Sequence, residues 1–153
     1  MGDLPMDFTL SPEIESYRTR IHDFVERHIL PLEEDPANYD EGENIKDEVL
    51  FPLREKAKAE GLWALQMPKE RGGAGLPIVG MAACYEEMAR SIFGPVVFNC
   101  AAPDDGDMIV LNKIGTETQK ARWLQPIIDG KARSAIVMTE PAPGAGSDPT
   151  MML

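Results

Sequence analysis

At 153 residues the chain has room for one domain with a sizeable core. Its 43% hydrophobic content argues against disorder, and its formal net charge of −11 argues against binding nucleic acid or an anionic membrane through bulk electrostatics. No apolar run matches a bilayer span, and Met1-Gly2-Asp3-Leu4-Pro5 lacks the basic and apolar regions of a signal peptide. The expected location is therefore cytoplasmic.

The first helix is predicted to start at Ser11, with Pro12 at its first position and Glu13 and Glu15 in its first turn. Serine caps a free amide, proline needs no partner there, and the acids complement the helix dipole. Ile14, Tyr17, Ile21, Phe24, Val25, His28 and Leu32 recur at helical spacing as one apolar stripe. Pro31 is expected to kink or end this helix. Residues 33–44 are acidic, contain Pro36 and Gly42, and read as an exposed connection. A second helix is predicted from Ile45 to Glu60, with Val49, Leu50, Leu53 and Ala57 inward, although Pro52 removes one of its hydrogen bonds. Trp63, Ala64 and Leu65 then enter the core, and Met67 to Gly75 forms a loop. A third helix runs from Pro77 to Arg90, apolar at Met81, Ala82, Tyr85 and Met88. A fourth spans Asp104 to Ile114. A fifth is capped by Thr116 with Gln119 three residues on, a capping-box pattern, and buries Trp123, Leu124 and Ile127. β-type sequence begins only after Arg133.

Most candidates for chemistry along these helices have a plainer reading. Cys84 and Cys100 form neither a ligand pair nor a disulfide framework, and read as reduced core residues. His22 and His28 fall on separate faces of one helix and cannot share a metal. Glu86 and Glu87 point about 100° apart on a helix, so they are no acid/base pair. Glu87 is better placed to pair with Arg90. Arg71-Gly72-Gly73 could touch a phosphate, but reads first as a tight loop with a solvated arginine. Asp104-Asp105-Gly106-Asp107 lacks calcium-loop spacing, and its acids are explained by opening a helix. No metal site and no catalytic residue is assigned.

The most informative stretch is Ala135-Ile136-Val137-Met138-Thr139-Glu140-Pro141, followed by Gly144-Ala145-Gly146-Ser147-Asp148. A short apolar strand stops at a Thr-Glu-Pro corner, and a small-residue loop then offers backbone amides and a hydroxyl. Glycine has no Cβ to hold a ligand away, so such a loop suits an anionic oxygen, while the strand end suits a flat ring.

Three segments, Met67-Pro68-Lys69-Glu70-Arg71-Gly72-Gly73-Ala74-Gly75, Ile114 to Leu124, and Ala135 to Asp148, closely resemble the acyl-CoA dehydrogenase family in order and separation. The resemblance covers the chain from about Phe8 to Asp148. It implies a mainly α fold: a helical amino-terminal domain of about five helices over 1–133, then the first strand and flavin loop of an incomplete middle β-domain over 134–153. It further implies FAD as cofactor, an acyl-CoA thioester oxidised to a 2-enoyl-CoA, and a place in fatty acid metabolism. An electron-transfer flavoprotein or similar acceptor and a homo-oligomeric full-length protein are implied too. Flavin contacts would come from Met138, Thr139 and Ser147. The acyl pocket would be lined by Phe98, Asn99 and Ala101, with Ser147 also meeting substrate. The family's catalytic glutamate lies in a third domain, so no residue here takes that role. One departure is Ala142-Pro143, which makes the corner after Pro141 two residues longer than the family's usual pattern. An unpaired opening strand is a poor terminus, so the chain is expected to continue beyond Leu153. Two other classes remain open at this point: a non-catalytic helical accessory subunit or interaction module, and an acyl-CoA oxidase fragment.

Overall fold

The computed structural model describes residues 8–42 and 44–137. They are mainly helical and belong to two compact units, 1–101 and 102–153. Among the described residues the β pairing is an antiparallel bridge between Tyr39 and Ile45. Residues 132–137 are neither helix nor ladder, and the predicted strand and loop from Met138 onward lie outside the described residues.

Helix α1 (Pro12–Phe24) begins as predicted, with the Ser11 side chain accepting from the Ile14 amide at 3.4 Å. It passes into a π turn over Val25–Ile29 and resumes as α2 (Leu30–Glu33). The Leu30 amide reaches back five residues to the Val25 carbonyl. Pro31 has no N–H, and its ring would press on the carbonyl four residues earlier. The widened turn makes room for that ring, so the proline neither ends the helix nor sits inside a regular one. The extra residue also shifts the buried face one position along the sequence. Ile29, absent from a stripe drawn at 3.6 residues per turn, is fully buried, while His28 and Leu32 are only partly so.

Helix α3 (Asp47–Ala59) runs straight through Pro52 and buries Leu50, Leu53, Arg54 and Ala57. Helix α4 (Ile78–Met88) follows the loop and packs on α1, and a short α5 (Gly94–Val97) contacts α3 and α4. Ile21, Phe24, Ile29, Leu53, Met88 and Phe98 are among the residues of one continuous core. On α4 the predicted apolar positions divide: Met81 and Met88 are buried, Ala82 is exposed, and Glu87 is buried instead.

Glu87 is buried because α1 supplies its partners. Its Oε1 accepts from Arg18 Nε at 3.1 Å, and its Oε2 lies 2.9 Å from His22 Nδ1. Arg90 Nη1 is 2.9 Å from the same His22 nitrogen. One nitrogen cannot donate and accept at once, and a carboxylate is the stronger acceptor. Nδ1–H therefore donates to Glu87, while Arg90 pairs with Glu26 and lies 3.9 Å from Glu87. The predicted Glu87–Arg90 pair is thus present, but it is the weaker of Glu87's contacts.

The second unit contains α6 (Asp104–Ile114), α7 (Glu117–Gln119), a π turn over Lys120–Leu124 and α8 (Gln125–Ile128). The Thr116–Gln119 capping box forms with both of its bonds. The same device seen before Pro31 recurs before Pro126: the Gln125 amide bonds to the Lys120 carbonyl. Leu124, Ile127 and Ile128 are buried, whereas Trp123, expected inward, is 47% exposed. The π turn advances the register, so Ile128 joins the buried side and Trp123 turns outward.

Two predictions follow from unit 1. Burial works to raise the pKa of Glu87, but the hydrogen bonds and charges of His22 and Arg18 outweigh it and hold the group below its ordinary 4.5. Its stabilising contribution is therefore present above pH 4.5 and is lost as the pH falls through the lower folded value. Glu87→Gln should cost about 1–2 kcal/mol near neutrality, the scale of a charge-assisted hydrogen bond whose donors are partly open to solvent. The difference from wild type should shrink on acidification, read by urea denaturation at a series of pH values. The glycines of the Arg71-Gly72-Gly73 loop should differ sharply. A Cβ on Gly73 would lie 2.1 Å from the Met67 carbonyl oxygen and 2.5 Å from that of Ala64. Gly72 has open space around it but a φ of +94°. Gly72→Ala should cost about 1–2 kcal/mol, and Gly73→Ala clearly more, measured by thermal melting.

Candidate functional site

In the first unit, the residues expected to line an acyl pocket form a corner. Phe98 is fully buried and packs edge-on against Phe24, with ring centroids 5.2 Å apart. Asn99 is 3% exposed and has a φ of +57°. Asparagine tolerates this left-handed conformation better than most residues. Ala101 is partly exposed. The corner is tied to the segment after α3. The Ala64 amide donates to the Phe98 carbonyl at 2.9 Å, and Gln66 Nε2 donates to the Asn99 carbonyl at 3.1 Å. The Cys100 thiol donates to Gln66 Oε1 at 3.3 Å. Ala64 itself has a φ of +46°, a strained position for a residue with a Cβ. The sequence placed Ala64 in the core but gave no sign of its part in holding this corner, nor of Gln66's. Their part depends on hydrogen bonds between segments more than thirty positions apart.

In the second unit, the first turn of α6 carries Asp104, which is 2% exposed. Its Oδ1 accepts from the Ser134 amide at 2.6 Å and from the Ser134 hydroxyl at 2.7 Å, and its Oδ2 accepts from Arg133 Nε. Opening a helix therefore explains only part of the acidic run; Asp104 also clamps the chain that leads toward Met138. Beside this clamp lies a cavity of about 460 Å³, lined by Val110, Leu111, Trp123, Ile127, Arg133 and Ala135, among others. The Arg122 guanidinium stands 5.2 Å from the centre of the Trp123 ring. Ile136 and Val137 are exposed.

Met138, Thr139 and Ser147, the predicted flavin contacts, lie outside the described residues. Among the described residues no cluster of His, Cys, Asp or Glu could hold a metal ion, and no helix is long and apolar enough to cross a membrane.

With this arrangement in view, comparison with known proteins is decisive on class. The family model described as "Acyl-CoA dehydrogenase, N-terminal domain" matches residues 11–131. The chain belongs to the acyl-CoA dehydrogenase family, as its amino-terminal domain. It is similar to FadE2 of Mycobacterium tuberculosis, named a probable acyl-CoA dehydrogenase, with 42% identity over 144 residues; the match covers 90% of this chain and 34% of that protein. It is 40% identical over 139 residues to mouse acyl-CoA dehydrogenase family member 10, covering 86% of this chain and 13% of the relative. A solved structure described as an acyl-CoA dehydrogenase from Mycobacterium abscessus superposes with a TM-score of 0.80 at 35% identity, over 94% of this chain and 38% of that one. The chain thus spans 38% or less of the length of these relatives.

The two cysteines give a direct check on the packing of the corner. Cys84 is fully buried, and burial, with the nearby charge of Glu87, pushes its thiol up to about 11. Cys100 is 3% exposed and hydrogen-bonded. Neither should react with a disulfide reagent at pH 8 in the native protein, and both should react once the chain is unfolded in guanidinium, counted by released thiolate absorbance.

Proposed function

We propose that this chain is the flavin- and acyl-facing amino-terminal part of an FAD-dependent acyl-CoA dehydrogenase that oxidises an acyl-CoA thioester to a 2-enoyl-CoA. The observation that carries the reading is the family match over residues 11–131, running directly into Met138-Thr139-Glu140-Pro141 and Gly144-Ala145-Gly146-Ser147. The described residues that lead to that loop fit an extended cofactor: Ser134 is held at a defined point by Asp104, and the chain beyond it carries exposed apolar side chains. When bound, the flavin supplies the two-electron chemistry of the reaction.

The work of this chain's own residues is binding and orientation. Met138 and Thr139 would hold the ring, with the Thr139 hydroxyl as a polar contact. Ser147 would meet a charged oxygen of cofactor or substrate. Phe98, Asn99 and Ala101 would shape the acyl pocket, a role supported by the left-handed backbone at Asn99 and by the facing strain at Ala64. The net charge of −11 does not attract an anionic CoA ester, so any phosphate contact must be local. No residue here is assigned as the base; by family membership that carboxylate belongs to a later domain. Residues 134–153 would open the middle β-domain. Electron transfer to a flavoprotein acceptor, assembly as a homo-oligomer and a cytoplasmic location complete the proposal.

Substitutions in the complete protein test it. Thr139→Val keeps the shape and removes the hydroxyl, and should shift the bound flavin's visible spectrum or weaken FAD binding. Ser147→Ala should weaken FAD binding or raise the KM for acyl-CoA by about tenfold, the scale of a lost hydrogen bond to a charged group. If the spectrum, FAD affinity and KM all stay within about twofold of wild type, below the effect of even one charged hydrogen bond, these residues do not form the site. An unloaded wild-type protein that takes up no FAD would favour the accessory-module class instead.

A further inference from the structure

We propose that Gln66 is a positioning residue for acyl-chain selectivity. Its side-chain amide holds the corner from Phe98 to Ala101 in the one backbone path that sets a wall of the acyl pocket. The inference rests on the reading above, that Phe98, Asn99 and Ala101 meet the acyl chain, and names what keeps that wall in place.

All of the residues involved belong to the first unit. Asn99 is the turning point of the corner. Its φ of +57° is a conformation that a residue with a Cβ keeps only where its surroundings over-determine it. Both peptide groups that flank it are held. On one side the Phe98 carbonyl accepts from the Ala64 amide at 2.9 Å. On the other, the Asn99 carbonyl accepts from Gln66 Nε2 at 3.1 Å, and the Cys100 amide donates to the Pro95 carbonyl at 2.8 Å. The Pro95 bond is local to the turn itself. Ala64 and Gln66 tie the corner to another part of the chain, more than thirty positions earlier.

Of these two ties, Gln66 is the one that a side chain supplies, and it uses both ends of its amide. Nε2 donates to the Asn99 carbonyl, and Oε1 accepts from the Cys100 thiol at 3.3 Å. A carbonyl can only accept, so the Asn99 contact decides which end of the amide is which. Asn99 is 3% exposed, so water does not readily replace a donor lost there. Loss of the Gln66 amide therefore frees the peptide between Asn99 and Cys100 to turn about its Pro95 bond. Phe98 is fully buried against the Phe24 ring, which concentrates the movement on the residues after it. Ala101 follows next and moves with that peptide. An apolar pocket distinguishes one methylene by roughly 10–200-fold, but only while its wall stays in place.

The test uses the complete protein with its flavin bound. The quantity read is kcat/KM for straight-chain acyl-CoA esters of increasing length, with FAD affinity and melting temperature recorded beside it. Gln66→Met keeps the length of the side chain and removes both contacts. Gln66→Glu keeps the acceptor for Cys100 and sets a carboxylate oxygen against the Asn99 carbonyl. Gln66→Asn keeps the amide but is one methylene too short to reach both partners, and it decides the matter if the other two do not fold. In each, the ratio of kcat/KM between the preferred ester and the next longer one should fall by about tenfold, while FAD affinity stays within about twofold. Folded variants with wild-type selectivity, whatever their loss in melting temperature, would show a purely structural tie and overturn the proposal. An FAD affinity that falls as far as the selectivity would overturn it too, because that marks a general loss of structure. Ala101→Leu tests the reading beneath: it narrows the corner directly and should cut kcat/KM for the longest esters by about tenfold or more. If Ala101→Leu changes the selectivity and the Gln66 variants do not, the role of Gln66 alone is refuted. If neither does, the corner does not meet the acyl chain, and the pocket reading falls with the proposal. Wild-type protein that binds no FAD or turns over no acyl-CoA would overturn the flavoprotein reading on which both stand.

Discussion

The first unit depends on one constraint: the irregular segment from Leu62 to Met67 is buried and must still satisfy its backbone. Leu62, Trp63, Ala64, Leu65 and Met67 are each 7% exposed or less, without the internal ladder of a helix. Buried amides and carbonyls cannot be left unpaired. The segment therefore borrows partners from both sides. The Ala64 amide takes the Phe98 carbonyl, the Gly75 amide donates to the Met67 carbonyl, and the Leu76 amide donates to the Leu65 carbonyl. These bonds bind the loop of the Met67–Gly75 motif and the corner at Phe98–Asn99 to one stretch of chain. The left-handed backbone at Ala64 and the bare approach of Gly73 to two carbonyls are both consequences of that crowding.

The helices around it are scaffold in a specific sense. Both places where function is proposed, the corner at 98–101 and the chain beyond Ser134, are irregular segments fixed by a few polar contacts to rigid elements. Gln66 fixes the first and Asp104 the second. Precision in such a site comes from these supporting contacts, because loop backbone has no repeating hydrogen bonds to hold it.

Much of the helical plan was legible in the sequence because its signals are local. Ser11 and the Thr116–Gln119 box each act over a few residues, and helices begin at them. What escaped was non-local or broke the period. Glu87 and Arg54 are charged residues on buried faces, made acceptable by Arg18 and His22 for the one and the Val96 carbonyl for the other. Asp104 looked like a helix opener because its partners lie about thirty residues away. Ile29 and Trp123 were misplaced because a stripe drawn at 3.6 residues per turn cannot foresee a five-residue turn. The family motifs carried the site where periodicity was silent: no pattern of hydrophobicity distinguishes Thr139 or Ser147 from any other turn residue.

The paired π turns bear on how this domain can change length. Each holds one more residue than an α-helix needs and ends just before a proline, at Pro31 and Pro126. A deletion of one residue there, joined with replacement of the proline, would close the widened turn into a continuous α-helix, and Ile29 or Ile128 would then fall on the ordinary 3.6-residue stripe. The half-helices on either side would keep their relative orientation, and the apolar face would stay whole. A residue gained or lost elsewhere in these helices turns one half by about 100° against the other. The two turns are thus the places where length can change without splitting the buried face.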